Sequence, residues 1–284
     1  MWKVIHGDCK VQLSEFEAES VQTCVTSPPY WQLRDYGCTS ELGGEETPEK
    51  FVESLVGVFE EVRRVLKKDG TLWLNLGDTY VGGGGYCPTA PSNQQGSKQS
   101  TNRGAKAKAR PVPEGYKKKD LIGIPWMTAI ALRKKGWFLR ADVIWDKPNG
   151  FPENVTDRPS RTHEYVFLLS KSEKYYYDHK AILEPSADGG TRICRAVWEI
   201  AKTNFSGAHF AVFPEKLVER CLLATSREND LVIDPFLGSG TTGVVSQKIG
   251  RQFVGIDLNE SYCQMAKTRI EAIEAKNAGQ EHNS

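Results

Sequence analysis

Leu231-Val232-Ile233-Asp234-Pro235-Phe236-Leu237-Gly238-Ser239-Gly240-Thr241-Thr242-Gly243 decides how this chain folds. A short apolar, β-branched run leads into Asp-Pro, then a Gly-x-Gly turn, then a helix-like stretch. The glycines let the backbone turn tightly and come close to a ligand. Ser239 and Thr241 fall where a new helix exposes unpaired N–H groups. Downstream, Arg251-Gln252-Phe253-Val254-Gly255-Ile256-Asp257 reads as a second strand ending in an acid. An acid about twenty residues after such a turn commonly binds two ribose hydroxyls, which makes the pair a nucleoside signature. The competing reading is an αβ packing turn without a ligand. A phosphate-binding loop fits poorly: the Gly-Lys-Ser/Thr ending is absent, so no lysine is placed for a β/γ-phosphate.

A second motif stands near the other end of the chain. Thr26-Ser27-Pro28-Pro29-Tyr30-Trp31 follows the strand-like run Val21-Gln22-Thr23-Cys24-Val25. Each proline fixes φ near about −65° and removes a backbone donor, and the residue before it is held extended. The carbonyls of Ser27 and Pro28 are thereby offered as acceptors, with Tyr30 and Trp31 as a stacking surface. A planar ring carrying an amino group, such as cytosine or adenine, suits that arrangement. Alone, such a run also reads as an ordinary turn.

The chain as a whole excludes several classes. At 284 residues it can bury a full core as one α/β domain with insertions. Lys plus Arg total 37 against 36 acids, a net charge of +1, so a nucleic-acid partner must announce itself locally. No apolar run approaches the ~20 residues that span a bilayer, and the start, Met1 to Asp8, lacks a signal-peptide layout. Seven scattered cysteines without a C-x-x-C pair read as a reducing cytosol with no disulfide framework and no metal site.

Along the chain, residues 1–8 read as a strand ending in Gly7-Asp8, and Pro48 to Leu66 as a helix closed by Lys67-Lys68-Asp69-Gly70. Thr71 to Leu76 is a buried strand, followed by Gly77-Asp78. Residues 81–119 are poor in large apolar residues and basic, with Glu114 as the sole acid. They read equally as a flexible loop and as a phosphate-contacting arm carrying Lys117, Lys118 and Lys119. Structure resumes at Ile122-Gly123-Ile124-Pro125-Trp126 with a helix to Lys135 that stops at Gly136, and Leu139–Trp145 with His163–Leu169 form a strand pair. Residues 171–208, with Tyr175-Tyr176-Tyr177, show no clear period. Phe213-Pro214 opens another helix, and the last helix spans about 261–275. Strands alternating with helices predict a mostly parallel sheet covered on both faces, with both motifs opening on its carboxyl edge.

With these residues in hand, the chain resembles the amino-methylating DNA methyltransferases that use S-adenosylmethionine. Asp234-Pro235-Phe236-Leu237-Gly238-Ser239-Gly240-Thr241-Thr242 is similar to the family's methionine-binding motif, and Thr26-Ser27-Pro28-Pro29-Tyr30 to its catalytic motif. The catalytic motif comes first, with the variable insert between, as in the family's permuted beta group. Gly7-Asp8, Asn75-Leu76-Gly77-Asp78 and His209 to Pro214 also fit, so the likeness covers nearly the whole chain.

The resemblance implies one catalytic domain over residues 1–284: a seven-stranded, mostly parallel α/β sheet whose antiparallel edge hairpin is Leu139–Trp145 with His163–Leu169. It implies that Asp257 holds the ribose of S-adenosylmethionine, that Asp8 contacts its adenine, and that Asp234, Phe236, Gly238, Ser239, Gly240 and Thr241 surround its methionine end. Phe213 packs there or is an ordinary core residue. Ser27, Pro28, Pro29 and Tyr30 form the catalytic set. The partner is double-stranded DNA with its target base flipped out; Trp31, Arg34, Lys117, Lys118, Lys119, Arg158 and Arg161 are the DNA-contact candidates, and residues 171–208 the target-recognition segment. The arginines serve equally well as surface ion-pair partners. Ser-Pro-Pro-Tyr leans toward cytosine N4, the acidic version toward adenine N6. An RNA or protein amino-methyltransferase and a DNA-binding relative without activity are the rivals. The implied setting is a bacterial, archaeal or phage-encoded cytoplasmic enzyme; a homodimer and a paired restriction nuclease stay open.

Overall fold

A computed structural model of the protein describes residues 1–31, 42–82, 112–150, 153, 155–202 and 213–281. Ten strands and six α-helices alternate along it: β1 (Trp2–His6), α1 (Cys9–Ser14), β2 (Val21–Thr26), α2 (Pro48–Val65), β3 (Leu66–Leu76), α3 (Ile124–Lys134), β4 (Phe138–Asp146), β5 (His163–Ser170), β6 (Glu184–Pro185), β7 (Thr191–Arg192), β8 (Val197–Glu199), α4 (Glu215–Thr225), β9 (Leu231–Asp234), α5 (Thr241–Lys248), β10 (Gln252–Asp257) and α6 (Glu260–Glu281).

Eight of the strands form one sheet in the order β1-β10-β9-β2-β3-β5-β4-β8; β6 and β7 make a separate hairpin. The run from β1 to β3 is parallel. β5 is antiparallel to both neighbours, β3 and β4. The expected hairpin is therefore present, but it is not the edge. Val197-Trp198-Glu199 adds β8 in parallel to β4, an eighth strand where seven were expected. Three residues carry too little period to be read as a strand; Trp198 holds them there, buried against Trp73 with ring centroids 5.7 Å apart.

Both faces of the sheet are covered, which is why its central strands are apolar almost throughout. On one face Leu13 of α1, Phe51, Leu55, Phe59 and Val62 of α2 and Leu132 of α3 pack on Cys24, Leu72 and Ile233. On the other, Leu217 and Cys221 of α4, Val245 of α5 and Ile270 of α6 pack on Val25, Trp73, Val232 and Phe253. Neighbouring residues Cys24 and Val25 thus face opposite layers, as strand geometry requires. α2 starts as its sequence dictates: Thr47 Oγ1 accepts from the Lys50 amide, and Pro48 opens the first turn.

One local expectation is overturned. Lys67-Lys68-Asp69-Gly70 does not close α2 as a turn; it belongs to β3. Between the pairs Val21–Leu66 and Thr23–Thr71 the register shifts, so the four residues bulge out of the ladder. Tertiary partners hold the bulge: Lys67 Nζ lies 2.8 Å from Asp230, and the carbonyls of Asp69 and Gly70 accept from Tyr176 and Lys171.

Phe59 sits fully buried at the centre of the first layer, with its ring edge-on to Phe236 at 6.3 Å. Phe59→Ala should lower unfolding stability by about 3–5 kcal/mol, read as a lower urea midpoint with an unchanged slope.

Candidate active site

Chain direction fixes where a ligand can enter. From β2 the chain crosses to β3 on one side; from β9 it crosses to β10 on the other. β2 and β9 are adjacent and parallel, so the sheet's switch point lies between their carboxyl ends, where open α/β sheets bind ligands. The two motifs begin at those two ends: Ser27 directly follows β2, and the Pro235–Gly240 turn directly follows β9.

A buried carboxylate ties them together. Asp234 is fully buried; its Oδ1 accepts from Thr26 Oγ1 at 2.7 Å and from the Phe236 amide at 3.1 Å, and its Oδ2 from Thr242 Oγ1 at 2.8 Å. Burial pushes its pKa up to about 6, against the pull of those donors. Asp234 was expected beside the cofactor. Its side chain makes its hydrogen bonds inside the protein, joining β2, the turn and α5.

Around the glycine turn, Gly238 and Gly240 take positive φ of 49° and 79°. At Gly240 a β-carbon would lie 2.7 Å from that of Ala266, so only glycine lets α6 pack this close. The Gly238 amide donates to Asp257 Oδ2 at 2.8 Å, and the Asn259 amide to Oδ1 at 2.8 Å. Burial raises the Asp257 pKa above the usual carboxylate value. Each oxygen of this half-buried group accepts one backbone amide, and an ionised carboxylate has about four acceptor sites, so capacity for two hydroxyls remains. The end of β1 lies alongside: the Gly7 amide donates to the Asp257 carbonyl. Asp8, exposed, caps α1 through the Val11 amide at 3.0 Å. Ser239 is buried, its carbonyl and hydroxyl both receiving Arg269 from α6; Thr241 opens α5 and is buried as well. Phe213 and Phe236 are half-buried, each packed against one of the two core layers.

On the other side of the switch point, Ser27 is half-buried and Pro28 buried. Asn75, near the end of β3, donates its Nδ2 to Ser27 Oγ at 3.2 Å and to Glu164 Oε2 at 3.0 Å. Tyr30 donates its hydroxyl to the same Oε2 at 2.7 Å. Its ring lies on Gly77, where a β-carbon would come within 2.5 Å of it. Lys147 completes the group by donating to Glu164 Oε1. Neither Glu164 nor Lys147 was singled out by the sequence. The available signal was a charged residue at the start of an apolar strand, which is weak.

Trp31 is the clearest correction. It was expected to offer a stacking face, but it is 4 % exposed and its indole N–H donates to the Glu45 carbonyl at 2.8 Å. Its bulk is spent in the core. Of the DNA-contact candidates, Arg34 lies outside the described residues, as do residues 83–111 of the basic insert. Lys117 and Lys118 are exposed. Lys119 pairs with Asp157 at 2.5 Å and Arg158 with Glu153 at 2.5 Å, and Arg161 lies 3.7 Å from the buried side chain of Asp78. The segment 171–178 follows the end of β5 that pairs with the start of β3, so Tyr175 to Tyr177 lie at the opposite edge of the sheet from the site. Residues 197–202 do rise to the site edge, where Glu199 pairs with Asp146.

A doubly wound sheet with a glycine turn, a strand-end acid and a proline-rigid rim at one switch point has the layout of a nucleoside-binding α/β domain. Residues 21–268 match the N6_N4_Mtase family of DNA methylases. The chain is 49% identical over 271 residues to the type II methyltransferase M.SmaI of Serratia marcescens, covering 94% of this chain and 90% of that one. Among solved structures it is similar to the PvuII DNA methyltransferase (cytosine-N4-specific), with TM-score 0.70 and 22% identity, covering 96% of this chain and 90% of that one. TTHA0409 of Thermus thermophilus, solved with S-adenosyl-L-methionine, gives TM-score 0.63 and 23% identity, each chain 96% covered. The chain belongs to this DNA methylase family: it is an S-adenosylmethionine-dependent DNA amino-methyltransferase. Among the described residues no helix is long and apolar enough to cross a membrane.

The folded pKa of Asp234, about 6, lies above the ~3.9 of an unfolded aspartate. The stability this group contributes is therefore fully present below about pH 4 and lost as pH rises through about 6. Asp234→Asn should remove a fall of about 3 kcal/mol between those limits. Urea unfolding of both proteins from pH 4 to 7 checks it; parallel stability curves would refute the assignment.

Proposed function

We propose that the enzyme methylates the exocyclic N4 of a flipped-out cytosine, with Ser27 and Pro28 as the amine's acceptors. The observation that carries this reading is the placement of Ser27 Oγ at the mouth of the switch point, fixed by Asn75 and adjacent to the cofactor turn. An exocyclic amine is a poor nucleophile because its lone pair is delocalised into the ring. Two acceptors, Ser27 Oγ and the Pro28 carbonyl, draw its N–H bonds out of the ring plane and release the lone pair for attack. Positive charge grows on nitrogen as it attacks, and dipoles already aimed there stabilise it most. Tyr30, held against Gly77, stacks on the base. When bound, S-adenosylmethionine supplies an electrophilic methyl on a sulfonium. Asp257, Gly238, Ser239 and Gly240 would hold the cofactor, and Asp8 would contact its adenine. Orientation of amine and methyl accounts for several kcal/mol of the barrier, ~7–11 at the upper end.

Serine in the first position of the motif favours cytosine, and the fold-level likeness to an enzyme described as cytosine-N4-specific agrees with it. For DNA, Lys117 and Lys118 supply phosphate contacts, and Lys119 and Arg158 join them by exchanging Asp157 and Glu153 for phosphate. Among the described residues of the 171–208 segment, base readout falls to 197–202, which reach the site edge; residues 203–208 lie outside the described residues.

Transfer of a tritiated methyl group to unmethylated DNA, followed by nucleoside mass spectrometry, should yield N4-methylcytosine; N6-methyladenine alone would overturn the choice of base. Ser27→Ala should lower the single-turnover rate by ~10²–10³-fold while cofactor affinity stays within a factor of about three. Gly77→Ala, which drives a methyl into the Tyr30 ring, should cost ~10²-fold in the same assay.

A further inference from the structure

We propose that Glu164 is a positioning residue for methyl transfer: its carboxylate, compensated by Lys147, fixes Tyr30 and Asn75, and through Asn75 sets the hydrogen-bonding state of Ser27. The proposal rests on the assignment of Ser27 and Tyr30 to the reacting base.

The hairpin brings the pair together. Trp145 and Glu164 are cross-strand partners in β4 and β5, and the Lys147 amide donates to the Thr162 carbonyl at 2.9 Å. The side chains of Lys147 and Glu164 are only 13 % and 14 % exposed. Lys147 Nζ bonds Glu164 Oε1 and lies 4.2 Å from the centroid of the Trp145 ring. Desolvation lowers the Lys147 pKa, and the adjacent carboxylate opposes that shift. Such a pair is costly to leave half-made.

The other oxygen does the positioning. Glu164 Oε2 accepts from Tyr30 Oη at 2.7 Å and from Asn75 Nδ2 at 3.0 Å. A carboxylate only accepts, so it admits one orientation of the Asn75 amide, with the nitrogen turned toward it. The second N–H of that nitrogen then points at Ser27 Oγ, 3.2 Å away. Asn75 is 4 % exposed, and its Oδ1 is buried without a hydrogen-bond partner. The opposite flip would bring Oδ1 against Glu164, oxygen to oxygen, so the carboxylate overrides the unmet acceptor. Ser27 Oγ thereby receives one donor from the protein and keeps one lone pair for the amine of the base. Without Glu164 the amide is free to turn, and Asn75 Oδ1 would then accept a hydrogen bond from the Ser27 hydroxyl and alter what that hydroxyl offers. The same loss removes the carboxylate that accepts from the Tyr30 hydroxyl, so the height of the ring over Gly77 is less closely set. One buried anion thus sets both the stacking ring and the acceptor.

The test is single-turnover methyl transfer to unmethylated DNA with saturating S-adenosylmethionine, for Glu164→Met, Tyr30→Phe, the Glu164→Met/Tyr30→Phe pair and the Glu164→Met/Lys147→Met pair. Glu164→Met, which leaves no oxygen acceptor at that position, should slow the step by ~10²-fold with the KM for DNA and the affinity for cofactor each within about threefold of wild type. Adding Tyr30→Phe to it should cost under about twofold more, because the carboxylate that accepts from the hydroxyl is already gone. Glu164→Met/Lys147→Met removes the stranded charge, restores stability in urea and should stay slow. A rate within threefold of wild type for Glu164→Met, recovery of the rate in the Lys147→Met background, or multiplying losses with Tyr30→Phe would each overturn the proposal. Ser27→Ala, run alongside, separates the two readings. Full activity in that variant removes the site assignment itself, whereas a dead Ser27→Ala with a fast Glu164→Met removes only the role of Glu164.

Discussion

The parallel neighbours β2 and β9 lead the chain away in opposite directions, and the Asp234 carboxylate bridges the gap between the proline rim beyond one and the glycine turn beyond the other. Its three donors come from the end of β2, from the glycine turn and from the first helical turn after it. Because the group is fully buried, no water can replace a lost partner, and the distance between the proline rim and the glycine turn is set to the tolerance of hydrogen bonds. On the proposed reading of the site, methyl transfer needs that tolerance, since nucleophile and electrophile would be held by separate strands.

A second, largely buried carboxylate ties side chains together on the other side of the switch point. Glu164, on β5, reaches the Ser-Pro-Pro-Tyr motif and draws Tyr30 and Asn75 to one oxygen. The two carboxylates differ in their partners. Asp234 is met by neutral hydroxyls and an amide, so burial dominates and its pKa rises to about 6. Glu164 is met by an ammonium as well, and the pair is kept by mutual compensation. The first couples the glycine turn to the proline rim; the second couples Tyr30 of that rim to Asn75 of β3.

The surface toward DNA follows a different logic. Lys119 and Arg158 are held by exposed or half-exposed acids, contacts worth little in water. A net charge of +1 is no obstacle to binding DNA, because binding responds to the local distribution of charge. The tyrosine triplet illustrates the opposite case: its composition suggests stacking on bases, but Tyr176 and its neighbours serve the β3 bulge and pack with Arg227 and Arg140.

The parts legible in the sequence were those with local causes. Glycines at positive φ, prolines that hold the chain extended, β-branched runs and a strand-end acid are properties of consecutive residues, and they placed both motifs, the alternation of strands and helices and the shared edge without reference to any contact. The unread parts depend on residues far apart in the chain. That Trp31 is core and not platform depends on Glu45; that Lys67 to Gly70 bulge within a strand depends on Asp230 and on residues 171–176. An eighth strand exists because Trp198 meets Trp73 across the sheet. The sequence by itself determined the chemistry on offer, because backbone torsion and residue type are local. Only the tertiary structure decided which carboxylates organise that chemistry, because Asp234 and Glu164 acquire their roles from partners that nothing but the folded sheet brings within hydrogen-bond reach.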